Sequence, residues 1–449
     1  MNIIEDFIKG CETDAPLEFK EATIYHALSY LPGRFISYKG RRPNIWFLLS
    51  SIPGAYRRSS VNKIHDTIRK TALMDYYNVV TNVKPTKMIK EKNPKTKKME
   101  EKEVPKQPEE IRDEKRQKVF RNSNINEYIQ SGSPEGVVDK IVYSSKKGIN
   151  TFCINDSEFG LTLKNVSGSN YTSGIDTLYS KLYSGEEYLQ DLSKRGEKAM
   201  HWNIRHIHAG TYVTMFCSMQ EPRLYLRRAS FEQGLMRRII LIYVSGYNKK
   251  IDFKDYRSLL DVDNKQESTN MYYIGKKLGA MMLDYKRRQL DFEPQQGFLR
   301  IIKRLNYSVD MKAREDPCIE NIFRLSAPEH IFKLGMLNAI SRNQIENNKL
   351  ISTADDINKA LNFYNRATKN FDEVVDQVGI IIKDLEVDPG IEKVMRLLKR
   401  YDVLSRTDLM RKTHIKKDKL DPVLEHLIVT KLIKVYSDKG KTIYKLTHV

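Results

Sequence analysis

Asn44-Ile-Trp-Phe-Leu-Leu-Ser-Ser-Ile-Pro-Gly-Ala-Tyr-Arg-Arg-Ser-Ser60 is the stretch whose reading decides the fold. Its apolar run, Ile45 to Leu49, follows Pro43 and gives way to small residues, which predicts a buried strand. A turn with Pro53 and Gly54 comes next, then Arg57-Arg58-Ser59-Ser60, then Val61 to Asp66 with helical spacing. Strand, turn, cation, hydroxyl, helix is the order a phosphate-binding loop needs. Amide N–H groups at a helix start face the phosphates, a cation reaches the terminal phosphates, and a hydroxyl ligates magnesium. The loop departs from G-x-x-x-x-G-K-[ST]: Arg58 stands where the lysine belongs, Ser59 supplies the hydroxyl, and Gly54 is its only glycine. A guanidinium keeps the charge but is a planar fork rather than a point ammonium. Taken alone, these residues fit an ordinary strand-turn-helix with a basic helix start equally well.

The composition sets the frame. At 449 residues the chain has room for two or three domains, and its 40% hydrophobic content is that of a globular protein. A net charge of +20 and a pI near 9.4 favour a polyanionic partner, nucleic acid first; a lysine-rich protein with no such partner is the bland alternative. Cys11, Cys153, Cys217 and Cys318 lie far apart with no CxxC pair, so neither zinc nor a disulfide framework is expected, and a reducing compartment is. Cys153 and Cys217 sit in apolar runs and read as small core residues. No signal peptide and no membrane-spanning run is legible, so the expectation is a cytoplasmic protein without a membrane partner.

Working outward from the central stretch, Pro16 opens a helix to about Leu31, stopped by Pro32-Gly33, and Phe35 to Tyr38 reads as a strand. Residues 84–121 are rich in Lys and Glu, hold four prolines and few large apolar residues, and predict a mobile charged insertion or frayed helix that could touch DNA. Ser133 and Pro134 begin another helix. Thr151 to Ile154 predicts a second buried strand, with Asp156 and Glu158 just past its C-terminal end. Ligands of open α/β sheets sit at that end of the strands. Glu158 is placed to activate water and Asp156 to hold magnesium, although Ser157 occupies the slot directly before Glu158. Residues 170–200 read as a helix with Leu178, Leu182 and Leu189 on one face, and His201, His206 and His208 lack the companions of a metal site. Thr211 to Pro222 predicts a third buried strand that delivers Gln220 as a sensor of the terminal phosphate. A fourth strand ending at Val244 is preceded by Arg237-Arg238, where an arginine can act on a neighbouring subunit's phosphoryl group.

These readings divide the chain into an α/β core over 1–250, a helical lid or bundle over 251–388, and a last unit over 389–449. In the last unit, Ile391 to Arg400, a capping box Ser405-x-x-Asp408, Lys416 to Lys431, and a hairpin turning at Lys439-Gly440 predict a winged helix. Lys416, Lys417 and Lys419 at the third helix and Lys439 and Lys441 at the wing are the expected DNA contacts. A winged helix used for protein contacts is the alternative.

Basic loop, strand with acids, strand with Gln, and Gly234-Leu-Met-Arg-Arg238 before a strand occur here in one order, together with Ser133-Pro-Glu-Gly136 and His330-Ile-Phe-Lys-Leu-Gly-Met-Leu337. From about residue 22 to 375 the chain resembles the RecA-fold, helicase-like P-loop ATPases of plasmids, viruses and prophages, often linked to primases. The resemblance implies a RecA-like ATPase core that takes ATP and Mg2+. It also implies a homo-oligomer, the hexameric ring being one such form, that acts on DNA during replication with a primase or polymerase as partner. By position, Gly54, Arg57, Arg58, Ser59 and Ser60 take the phosphate-loop roles, Ser59 and Asp156 the magnesium, Glu158 the acidic pair, Gln220 the sensor, and Arg238 the arginine before the closing strand. The expected function is a DNA-dependent ATPase, a replicative helicase or helicase-like replication protein. The alternative is a catalytically degenerate P-loop scaffold that oligomerises and binds DNA through its winged helix. A weaker third reading is a regulator that binds DNA only through residues 389–449.

Overall fold

The computed structural model describes residues 2–13, 15–51, 58–92, 99–130, 134–166, 175–191, 204–226, 234–245, 265–316, 319–375, 389–401, 403–413, 415–429, 433–438 and 441–446. Gly54, Arg57, Ser133, His201, Cys318 and Lys439 lie outside them. The chain forms two compact units, Met1–Val374 and Val375–Val449.

In chain order the first unit begins with α1 (Ile3–Gly10), α2 (Leu17–Tyr30), β1 (Trp46–Ser51), α3 (Arg58–Val80), β2 (Thr86–Lys92), β3 (Met99–Pro105), α4 (Pro108–Phe120), β4 (Tyr128–Ile129) and α5 (Pro134–Ser145). It continues with β5 (Thr151–Ile154), α6 (Phe159–Val166), α7 (Ile175–Ser184), β6 (Tyr188–Asp191), β7 (Ile204–Ile207), β8 (Tyr212–Met219) and β9 (Ile240–Val244). The core is a five-stranded parallel sheet in the order β4-β5-β8-β1-β9. β1 and β8 are buried at every position, as strands covered on both faces must be, and this is why they read as largely apolar runs. Trp46 of β1 donates its indole N–H to the Val213 carbonyl at 3.0 Å and meets Tyr179 and Tyr183 of α7 edge-on.

The structure differs from the sequence-based expectation in four places. β4 has two residues, too few to show a period, and was not expected. Phe35 to Tyr38 is no strand: a 3₁₀ turn at Pro32–Phe35 leads into a tight turn at Lys39 and Gly40, both with positive φ. The 170–200 stretch is not one helix, since α7 stops at Ser184 and Leu189 lies exposed in β6. The 84–121 stretch, expected as a mobile charged insertion or a frayed helix, holds the helix α4 and, before it, the β2–β3 hairpin, which was not expected. Opposed charges supply local order that composition alone does not show. Lys90 faces Glu101 across the ribbon, Lys87 reaches Glu110 at 2.5 Å, and Gln107 and Glu110 close a capping box.

Helices at Lys265–Arg288, Gln296–Glu315, Ile319–Arg324, Ala327–Arg342 and Ala354–Ala367 follow, with a small sheet of Asp291–Pro294, Lys349–Ser352 and Ile345–Glu346 among them. The first of these helices lies against α3, where Gly275 leaves no room for a side chain: a Cβ there would stand 2.7 Å from the Thr71 Cβ. Ala327–Arg342 is buried almost all round. Among the described residues of these helices, none lines the cleft described below.

Several buried polar groups of α2 and α3 are paired. His26 of α2 and His65 of α3 share a hydrogen bond at 2.8 Å. Burial, and then His65, hold His26 well below the ordinary histidine range. Burial, and then Arg69, push His65 down to about 3, and burial takes His330 to about 4. Glu127, fully buried before β4, accepts from both terminal nitrogens of Arg34 at 2.9 and 2.8 Å, from the Tyr30 hydroxyl at 2.5 Å, and from the Tyr77 hydroxyl of α3. That one carboxylate ties the end of α2, the far end of α3 and the sheet edge together.

The second unit holds helices Pro389–Tyr401, Arg406–Thr413 and Lys417–Val429 and an antiparallel sheet of Val403–Ser405, Lys441–Leu446 and Ile433–Asp438 in that order. The Ser405 hydroxyl accepts from the Asp408 N–H at 3.2 Å, capping the second helix as its sequence predicts. Its core includes Leu398, Leu409, Leu424 and Ile433.

Two expectations follow. Glu127→Ala leaves the Arg34 guanidinium buried without its counter-ion, so denaturant unfolding should show a loss of about 3–5 kcal/mol; a loss below about 1 kcal/mol would mean the network is not needed. The three buried histidines stay neutral when folded but bind protons near pH 6.5 when unfolded, so stability is full above that pH and falls below it as the pH drops towards the folded values. Unfolding free energy at pH 5.5 should lie about 4 kcal/mol below its value at pH 7.5, roughly 1.4 kcal/mol for each histidine; an unchanged value would contradict the buried neutral histidines.

Candidate functional site

Parallel pairing fixes where the strand ends fall. Ser50 of β1 pairs with Met219 of β8, and Ile154 of β5 pairs with Met215. The chain leaving β5 therefore runs beside the last residues of β8. The Ser218 N–H extends the ladder to the Asp156 carbonyl at 2.8 Å, and the Ser218 hydroxyl donates to the Ser157 carbonyl at 3.2 Å. On the other side, the Ser50 hydroxyl holds the Gln220 carbonyl at 2.6 Å. These contacts gather the carboxyl ends of β1, β5 and β8 around a cleft of about 840 Å³, within the range of small-molecule sites.

Arg58, Ser59, Asp156, Glu158 and Gln220 all line this cleft. Arg58 is the first residue of α3, and its guanidinium donates to the carbonyl of Met219. Burial of about half its surface lowers its affinity for its proton; one donor is used by Met219, and the guanidinium has five. Ser59, exposed in the first turn of α3, stands among N–H groups that have no partner within the helix. Asp156 accepts the Glu158 N–H at 2.9 Å, which turns the chain so that the Glu158 carboxylate is exposed just before α6. Burial, and then the Glu158 charge, raise the Asp156 carboxyl against its hydrogen bonds with the Glu158 N–H and Thr162.

The remaining expected site residues lie elsewhere. Ser60 is next to Ser59 on α3 but does not line the cleft. Gly54 and Arg57 lie outside the described residues. Arg238 is at the amino end of β9, on the far side of the sheet from Glu158, with its guanidinium on the Gly234 carbonyl at 2.8 Å. In the second unit, Lys416 and Lys417 are exposed at the start of the third helix; the side chains of Lys419 and Lys441, like all of Lys439, lie outside the described residues.

Asn62, Lys63 and Asp66 also line the cleft and were passed over in the sequence. With Ser59 they follow the helical spacing i, i+3, i+4, i+7, opposite the buried Val61, Ile64 and Ile68, so the polar stripe was there to be found. Lys63 gives the cleft an ammonium one turn beyond the hydroxyls. Asp66 is taken up by Arg69 and Lys70 at 2.6 and 2.5 Å.

Ser59 and Asp156 present a hydroxyl and a carboxylate, an all-oxygen set that suits a hard cation such as Mg2+, which is held by one or two protein groups, phosphates and water. Among the described residues no group of three or more His, Cys, Asp or Glu forms a metal cluster, and no helix is long and apolar enough to cross a membrane. The buried Cys11, Cys153 and Cys217 form no disulfide with one another. Compared with protein-family models and with curated proteins, the sequence matches none.

Proposed function

We propose that this protein is a DNA-dependent ATPase with a RecA-like core, working as a replicative helicase or helicase-like replication protein of a mobile element. One observation carries the reading: residues from three distant segments, selected for phosphate, water and sensor roles, line one cleft at the carboxyl end of a parallel sheet. The strand order supports it, because β8 lies between the phosphate-loop strand and the acid strand, as in RecA-like cores, and so carries Gln220 between the two.

In this reading the N–H groups opening α3, Arg58 and Lys63 hold the phosphates of ATP. Ser59 and Asp156 hold Mg2+, which offsets the charge of the phosphates. Glu158 accepts the proton of the attacking water, and Gln220 orients that water or the terminal phosphate. Arg238 cannot reach the cleft of its own chain from the opposite end of the sheet; it acts on a neighbour's nucleotide in a homo-oligomer. The second unit, a winged helix in this account, sets its Lys416 and Lys417 against DNA phosphates. A primase or polymerase is the fitting partner of such a protein.

A second reading has one observation in its favour. The bond from Arg58 to Met219 gives that guanidinium a structural task, as expected of a scaffold that keeps the fold without turnover. ATP turnover measured with and without single-stranded DNA separates the two. The ATPase reading expects turnover that DNA stimulates and that falls about 100-fold or more in Glu158→Gln with ATP binding retained. Unchanged turnover in that variant would remove Glu158 from the mechanism, and no turnover in the intact chain would leave the scaffold.

A further inference from the structure

A second hollow, of about 470 Å³, opens at the amino ends of the strands, opposite the cleft. Arg41 and Arg42 reach it from the turn before β1, Arg237 and Arg238 from the 3₁₀ turn before β9, and Lys333 from the Ala327–Arg342 helix. Among the described residues that line it, Glu329 is the sole carboxylate. Five cations therefore face one anion in a space the size of a small ligand.

Among the described residues only Lys333 of these cations is paired with a carboxylate, and Arg41, Arg42 and Arg238 are held by carbonyl or ring contacts. Arg42 donates to the Gly210 carbonyl at 2.6 Å, and Arg238 to the Gly234 carbonyl. Arg41 lies 6.0 Å from the Phe332 ring centroid. Lys333 is only 3% exposed, sits 3.7 Å over the Tyr183 ring, and has Glu329 at 3.0 Å as its counter-ion. Burial, and then Arg41 and Arg238, push its ammonium down to about 8 against the pull of Glu329. Repulsion of this kind is relieved when an anion enters, and donors already fixed by carbonyls and rings lose little freedom in receiving it.

We propose that this hollow is a second anion site that takes a terminal phosphate or short oligophosphate group. Forked guanidinium groups match phosphate oxygens, and the excess of cations calls for more charge than one carboxylate brings. The aromatic rings beside it, Tyr183 and Tyr212, are buried, and Tyr212 donates its hydroxyl to the Ser29 carbonyl at 2.8 Å. Among the described residues lining the hollow no ring is open for a base to stack on, and recognition is of the phosphate. The same chemistry fits a free oligophosphate and the 5′-phosphate end of a nucleic-acid strand.

The proposal shares Arg238 with the reading of the cleft, so its test leaves that residue in place and disables the cleft first. Pyrophosphate binding is measured by calorimetry on full-length Arg58→Ala protein and on the same protein carrying Arg41→Ala and Arg237→Ala as well. Retained binding in the first and at least tenfold weaker binding in the second is the expected result; Lys333→Gln should weaken it in the same direction. Equal affinity in all of these, or no pyrophosphate binding to Arg58→Ala, would overturn the proposal. Where the site exists, one short single strand with and without its 5′-phosphate separates the sources. Tighter binding of the phosphorylated strand assigns the site to strand ends, and equal binding assigns it to free oligophosphate.

Discussion

β8 is the strand on which the structure depends. Eight consecutive buried residues leave its backbone no water to bond, so its N–H and C=O groups must find partners on both edges, in β5 and in β1. Meeting that demand fixes the relative register of three strands that are far apart in sequence. A slip of one residue would turn every side chain of β8 to the opposite face. The cleft is a by-product of this constraint: Ser50, Asp156 and Gln220 are neighbours because the ladders on either side of β8 end together.

The helix that follows β1 carries the order outward. α3 has 23 residues, a rod of roughly 35 Å by the usual rise per residue. Its first turn presents Arg58 and Ser59 to the cleft, its middle packs His65 on Phe216 of β8, and its far end is held by Tyr77 on Glu127. Arg69 adds a bond from α3 to the Ser123 carbonyl at 2.9 Å. α3 is thus a helix anchored along its length, from the cleft to the edge of the sheet. The two ends of the sheet also differ in charge. Acids and cations mix at the carboxyl ends, while cations dominate the hollow at the amino ends.

Much of this was legible in the residues. Ile45 to Leu49, Thr151 to Ile154 and Thr211 to Pro222 read as buried strands because parallel strands covered on both faces need largely apolar runs. Asp156, Glu158 and Gln220 were legible because they stand at or just past the ends of those runs. β4 was not, since its two residues owe their conformation to pairing with β5 rather than to any local pattern. The β2–β3 ribbon was missed because its order comes from charges facing each other across strands, which composition averages away. Arg237 and Arg238 were seen, but their meeting with Arg41 and Lys333 depends on tertiary packing of segments separated by up to three hundred residues, which no local pattern encodes.

The central claim is that the cleft between α3 and the ends of β5 and β8 holds the phosphates of a nucleotide. Equilibrium binding of ATP to the intact chain and to Arg58→Ala tests it most directly. The account predicts saturable binding to the intact chain, weakened at least tenfold in the variant. Equal affinity in the two proteins, or no binding to the intact chain, would contradict it.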